Sequence, residues 1–276
     1  MSLFLATFLI VIFAMALLWL ISLSRRDASI VDIFWGLGFA GVAMVSFGYP
    51  QLIGRSGELE ILPPRQLLVG GMALVWGVRL ALHLGWRNLG RGEDPRYRAM
   101  RERYGRRFPL LSLPLVFLLQ GTILWFVSLP IQLAGSTVGH PGLADWVGGG
   151  LWGVGLLFET VGDWQLTRFR ADPANRGQIL DRGLWAWTRH PNYFGDALVW
   201  WGLSVPVIFN GYPWVVVSPM VMTWLLLRVS GVPLLERALV ETRPGYADYI
   251  ARTSGFIPWP PKREPAKRAK RRDVIR

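Results

Sequence analysis

The stretch LFLATFLIVIFAMALLWLISL, residues 3–23, runs for twenty-one positions without a charged side chain. A helix of about 20 apolar residues spans the hydrocarbon core of a bilayer, where backbone groups must satisfy one another. Six further stretches come close to this length and are predominantly apolar: Ile30–Gly48, Leu67–Trp86, Leu110–Ala134, Trp146–Leu166, Tyr193–Phe209 and Trp214–Pro233. They predict an all-α, polytopic integral membrane protein, with seven transmembrane helices in one domain over residues 1–260. A composition that is 52% hydrophobic, with 15 tryptophans, agrees. The first stretch differs from a signal peptide in three ways: no basic residue precedes it, its apolar core is too long, and no small-residue cleavage pattern follows. It reads as a retained helix. With no cysteine in the chain, disulfides and thiolate metal sites are excluded.

The net charge of +12 alternates along the chain. Arg25 and Arg26 follow the first span, eight arginines from Arg87 to Arg107 follow the third, and Arg168, Arg170, Arg176, Arg182 and Arg189 follow the fifth. The alternate loops, Gly54–Arg65, Gly135–Asp145 and Asn210–Pro213, contain only Arg55 and Arg65. Basic residues mark the cytoplasmic side of short loops, so the N-terminus is expected outside and the C-terminus in the cytoplasm. In a bacterium this is the inner membrane. Residues 261–276 read as a basic, disordered tail beside anionic headgroups rather than a nucleic-acid arm.

Ionisable residues within or at the ends of apolar spans include these six: Asp32, Arg79, His83, Glu159, Asp163 and Arg228. Such charge is costly in a bilayer and marks function more often than not. Any one of them is equally well read as a snorkelling or structurally paired side chain. All six, however, lie toward the predicted cytoplasmic ends, which a single polar cavity on that side explains. Arg79 and His83, like Glu159 and Asp163, are one helical turn apart and share a face.

Two loops on that side carry shaped basic chemistry. In RNLGRGEDPRYRAMRERYG, residues 87–105, Arg87, Asn88 and Arg91 offer forked or amide donors, and Gly90 and Gly92 allow close backbone approach. In TRFRADPANRGQILDRGLW, residues 167–185, Arg168, Arg170, Asn175 and Arg176 repeat the pattern. Together they suit a polyanionic, phosphate-bearing cofactor; a solvated basic loop is the plainer reading. Next, GLWAWTRHPNYFGD, residues 183–196, sets Arg189, His190, Asn192 and Asp196 at the mouth of an apolar helix. The run Gly148–Gly150 reads as a flexible helix start. The GxGxxG match at Gly36–Gly41 lies inside an apolar span, where it suggests close helix packing rather than a dinucleotide fold.

On GLWAWTRHPNYFGD, the following Trp200-Trp201-Gly202, the late Tyr249 and the FIPW ending at Trp259, the chain resembles the bacterial branch of the membrane-embedded steroid 5-alpha-reductase family. The resemblance is strongest from Gly153 to Pro258. It implies seven helices and an NADPH-dependent reduction of the carbon–carbon double bond of a lipophilic enone, typically a 3-oxo-4-ene steroid reaching the enzyme from the bilayer. It implies cofactor contacts for Asn192 and Asp196 of the N-[YF]-x-G-[DE] motif, for Asp163 and Arg170, and for Arg79, Asn88, Arg91 and Arg228. Arg87, Asn175, Arg189 and His190 join that set from the two basic loops and the polar cluster. Asp32 stands where animal members place the glutamate that holds the substrate ketone. Their partner tyrosine from the third span is absent from VWGVRLALH, where Trp76 stands and His83 is the nearest donor. Glu236 replaces a late cofactor-contacting tyrosine. Asp32 and His83 are therefore the catalytic candidates.

RHPNYFG is also similar to the isoprenylcysteine carboxyl methyltransferases, which use S-adenosylmethionine. Charge separates the two: NADPH is a polyanion, the sulfonium donor is cationic, and thirteen arginines in two loops favour the polyanion. A non-catalytic membrane scaffold would bind neither.

Overall fold

The computed structural model describes residues 2–53, 62–88, 90, 92–137, 139–229 and 232–262. Their regular structure is helical, apart from an isolated parallel bridge between Thr188 and Ser254. Among the described residues four helices are long and apolar enough to cross a membrane: α1 (Leu3–Arg25), α2 (Ile30–Ile53, apolar to Tyr49), α3 (Pro64–Asn88) and α4 (Pro95–Val127). A short α5 (Leu129–Leu133) follows, then α6 (Leu143–Ala171), a one-turn α7 (Leu184–Trp187) and α8 (Pro191–Ile208). The shorter apolar α9 (Pro213–Val229), α10 (Val232–Thr242) and α11 (Tyr246–Arg252) complete the order. The fifth to seventh apolar stretches are thus helical too. Arg91 and the tail from residue 263 lie outside the described residues.

Backbone contacts divide the chain into two compact units, Met1–Gly153 with Val199–Met222, and Val154–Leu198 with Thr223–Arg276. In the first, α2 and α3 meet where glycines remove side chains. A Cβ on Gly36 would lie 2.2 Å from the Gly77 carbonyl oxygen, and one on Gly77 would lie 2.4 Å from that of Gly36. The packing expected of the Gly36–Gly41 run is therefore found at Gly36. Beside this crossing Phe39, Trp76 and Trp200 are sealed from solvent, with the Phe39 and Trp200 rings 4.4 Å apart. Leu82, Met44 and Phe13 remain exposed, as suits a surface solvated by lipid.

Several buried polar side chains inside this unit pair with one another, while the Trp152 and Trp200 indole nitrogens and Gln66 Oε1 are buried without a hydrogen bond among the described residues. Thr7 donates to Gln132 Oε1 at 2.6 Å, and the Gln132 amide donates to Ser128 Oγ at 2.8 Å. Within α4, Leu113–Leu118 is wound as a π-helix. Pro114 removes an amide hydrogen and crowds the preceding turn, and local widening relieves it. Between α3 and α6, Arg65 is 2% exposed and grips Asp145 by two bonds of 2.7 and 2.9 Å, with a third to Thr137 Oγ1 at 3.0 Å. Burial would raise the Asp145 carboxyl, but Arg65 and the Gly142 amide hold it below the ordinary range. Gly148 is not a loose helix start. The helix begins at Leu143, and a Cβ on Gly148 would come within 2.6 Å of the Pro206 ring.

In the second unit, residues 154–171 of α6 lie along the start of α8. Gly195 brings the two together, since a Cβ there would lie 2.5 Å from the Glu159 amide nitrogen. The chain between them folds back as a strap. Trp185 donates to the Gly162 carbonyl at 3.1 Å, and the Leu184 amide donates to Gln165 Oε1 at 3.1 Å. Gly183, at φ +65, is required at this turn: a Cβ would sit 2.4 Å from Gln165 Nε2. The C-terminal segment closes over the strap, with Arg189 N donating to Ser254 O and Trp259 N to Trp187 O, both at 2.9 Å.

Candidate functional site

In the first unit the site grows from the join of α1 and α2. Asp32 occupies the first turn of α2, where a helix N-terminus favours negative charge. The segment after α3 is stitched to this turn. Asp94 N donates to Ser29 Oγ at 2.9 Å, and Ala28 N to Glu93 Oε1 at 3.0 Å. Glu93 is held by Arg101 through bonds of 2.7 and 2.9 Å. Burial opposes ionisation of Glu93, but Arg101 and the Ala28 amide outweigh it and keep its carboxyl below the usual range; Arg96 does the same for Asp94. Asp94 also caps α4 by accepting from Arg96 N at 2.9 Å, with Pro95 opening the helix.

That cap aims the first turn of α4 at Asp32. Arg96 donates to Asp32 Oδ2 and the Tyr97 hydroxyl to Oδ1, both at 2.7 Å. Tyr97 in turn accepts from Gln120 Nε2 at 3.0 Å, and Trp35 Nε1 donates to Gln120 Oε1 at 2.6 Å. One chain of hydrogen bonds thus runs Trp35–Gln120–Tyr97–Asp32–Arg96. Of its members only Asp32 belongs to the candidate set that the sequence defines; Trp35, Gln120, Tyr97 and Arg96 lie outside it. The Asp94-Pro95 pair is the signal that places Arg96 and Tyr97 on a helical first turn. Arg79 and His83 are half-buried on α3, one turn apart. Arg87 donates to Asn88 Oδ1 at 3.0 Å.

In the second unit, Asn192 Nδ2 donates to Asp163 Oδ1 at 3.2 Å. Glu159 and Asp163 on α6, and Asn192 and Asp196 on α8, are each a turn apart, so this seam concentrates acid and amide groups. Arg189 and His190 share one acceptor: Glu236 Oε1 lies 2.7 Å from Arg189 Nε and 3.0 Å from His190 Nε2. Burial raises the Glu236 carboxyl, but the His190 and Arg189 hydrogen bonds prevail and pull it down to about 2. Burial and the Glu236 charge push Tyr246 up to about 12. Arg189 also donates to the carbonyls of Ile250 and Thr253, and His190 stacks on Tyr193. Arg228 is exposed in a π-turn at the end of α9.

A cleft of about 390 Å³ opens between the end of α6 and the strap, lined by Trp164, Gln165, Arg168, Phe169 and Asn175, among others, and closed by Arg182. The Arg168 guanidinium lies 5.6 Å from the Trp164 ring, and that of Arg182 lies 5.9 Å from Phe169. Among the described residues neither arginine has a carboxylate partner. Asn175 donates to the Phe169 carbonyl at 2.9 Å and leaves its own carbonyl oxygen to the cleft.

This is a helical membrane protein with charged and amide clusters built at the ends of its helices. It belongs to the DUF1295 family, described as proteins of unknown function, which matches residues 18–253. No curated protein and no solved structure matches the chain.

Proposed function

We propose that the protein is an NADPH-dependent reductase of the carbon–carbon double bond of a lipophilic enone, with a 3-oxo-4-ene steroid as the expected substrate type. The observation that carries the reading is the Asp32–Tyr97 pair. The resemblance asks for a carboxylate and a tyrosine at the substrate ketone, and α4 brings to Asp32 the phenol that α3 lacks. The Tyr97 hydrogen rests on Asp32, and the Gln120 amide fixes the oxygen from the other side. A ketone oxygen arriving beside Asp32 takes that hydrogen bond and is polarised. Negative charge then develops on the ketone oxygen, which the phenol and the Arg96 guanidinium stabilise. A donor of this kind is worth about 100-fold or more in rate. The neighbouring carbon takes its proton from water.

Reduced nicotinamide, when bound, supplies the hydride. The donor set suits its phosphates: Arg168 and Arg182 flank a cleft with no acid paired to them among the described residues, and Arg87 and Asn88 form the last turn of α3, where the first basic segment begins. Such groups recognise a polyanion better than a sulfonium. The proposal also carries the seven spans, with the N-terminus outside, the C-terminus inside and the cofactor entering from the cytoplasm. It is supported by helices at all seven apolar stretches and by the alternation of basic loops. The test is titration of the detergent-solubilised protein with NADPH and with S-adenosylmethionine, followed by NADPH consumption with a steroid enone. Binding of the sulfonium donor alone transfers the protein to the methyltransferases.

A further inference from the structure

We infer that the cleft at the end of α6 takes the adenosine 2′-phosphate of the cofactor and so selects NADPH over NADH. The inference rests on the proposed reductase reading and names which part of that cofactor this cleft distinguishes.

Four observations lead to it. The cleft, at about 390 Å³, falls in the range of sites for small organic ligands. Among the described residues its two guanidiniums are braced on aromatic rings rather than paired with carboxylates, which leaves their forked donors to a dianion. On the strap, Asp181 is already taken by Arg252. The remaining wall is suited to a nucleoside. Trp164 is 56% exposed and offers a stacking face, Gln165 keeps its amide hydrogens, and Asn175 keeps its carbonyl oxygen, since each uses only its other end on the backbone. Asp172 spends one oxygen capping Ala174, and the other can accept from a ribose hydroxyl. Aromatic face, amides and one acid describe an adenosine, and two guanidiniums with no carboxylate partner among the described residues add a phosphate. Arginines beside the adenosine ribose are a general means of admitting the 2′-phosphate.

A phospholipid headgroup is the other source of phosphate at a membrane protein. Probes separate the two. With wild-type protein in detergent, 2′-AMP is expected to compete with NADPH, and 5′-AMP to compete at least tenfold more weakly. Arg168→Ala and Arg182→Gln are each expected to weaken NADPH about 10- to 100-fold while leaving NADH within about twofold, as loss of a charge-assisted contact made only to the extra phosphate requires. Unchanged NADH affinity also shows that the variants are folded. Equal loss of both cofactors, or no change in the NADPH to NADH ratio, overturns the inference while leaving the reductase reading intact. Displacement of 2′-AMP by phosphatidylglycerol micelles in wild type but not in the variants assigns the cleft to lipid and overturns it as well. If wild-type protein binds neither nicotinamide cofactor, the reductase reading itself fails.

Discussion

Tyr97 shows how much one side chain can change a reading. Sequence alone left Asp32 with His83 as its nearest partner, because the third span contains no tyrosine. The phenol arrives from the next helix instead, aimed by the Asp94 cap and Pro95. Tyr97→Phe removes the hydroxyl and keeps the ring. It is expected to lower kcat for a steroid enone by about 100-fold while NADPH affinity stays within about twofold. Unchanged turnover removes Tyr97 from the chemistry. Glu236 gives a second measurement at this scale. Its carboxyl ionises near 2 rather than near 4.5, so the ionised form is favoured by folding. That contribution is complete above about pH 4.5 and is lost as pH falls toward about 2. Thermal unfolding in detergent should therefore show a wild-type decline between those limits that Glu236→Gln lacks. Parallel curves for the two proteins count against the clamp.

Among elements, the α2–α3 crossing is set by backbone contact. Gly36→Ala forces a methyl group against the Gly77 carbonyl and is expected to cost about 1–3 kcal/mol of stability. Gly41 on the same helix has open space where its Cβ would be, so Gly41→Ala is expected to be neutral or slightly stabilising. Equal effects of the two in a thermal unfolding assay would contradict the packing. The helices were legible because apolar runs are long-range-independent signals. Gly148 was not, since its role depends on Pro206, which is distant in sequence. The same limit explains the site. Asp163 with Asn192, and Arg189 with Glu236, could be suspected from residue type, but which acid meets which base is decided by tertiary packing. The strap glycine Gly183 was visible only as part of a motif; its positive φ and the Gln165 side chain that a Cβ would meet are set by the folded strap.

On the scale of the whole molecule, the proposed topology makes the two termini lie on opposite faces of the membrane. The chain contains no cysteine, so single substitutions can report sidedness directly. Ser2→Cys is expected to react with an impermeant maleimide in intact cells, and Ala266→Cys only after lysis. Labelling of both from the same side would mean an even number of crossings. Arg65 adds a consequence to this arrangement. In the proposed orientation it is one of only two arginines on the outer side, the face that topology rules keep poor in positive charge. Its guanidinium is enclosed and matched oxygen for nitrogen by Asp145. Electrically the residue is silent there, so it opposes neither insertion nor the resting potential. Dicarbonyl reagents that derivatise arginine from outside the cell would pass it by until the loop carrying Thr137 and His140 peels away.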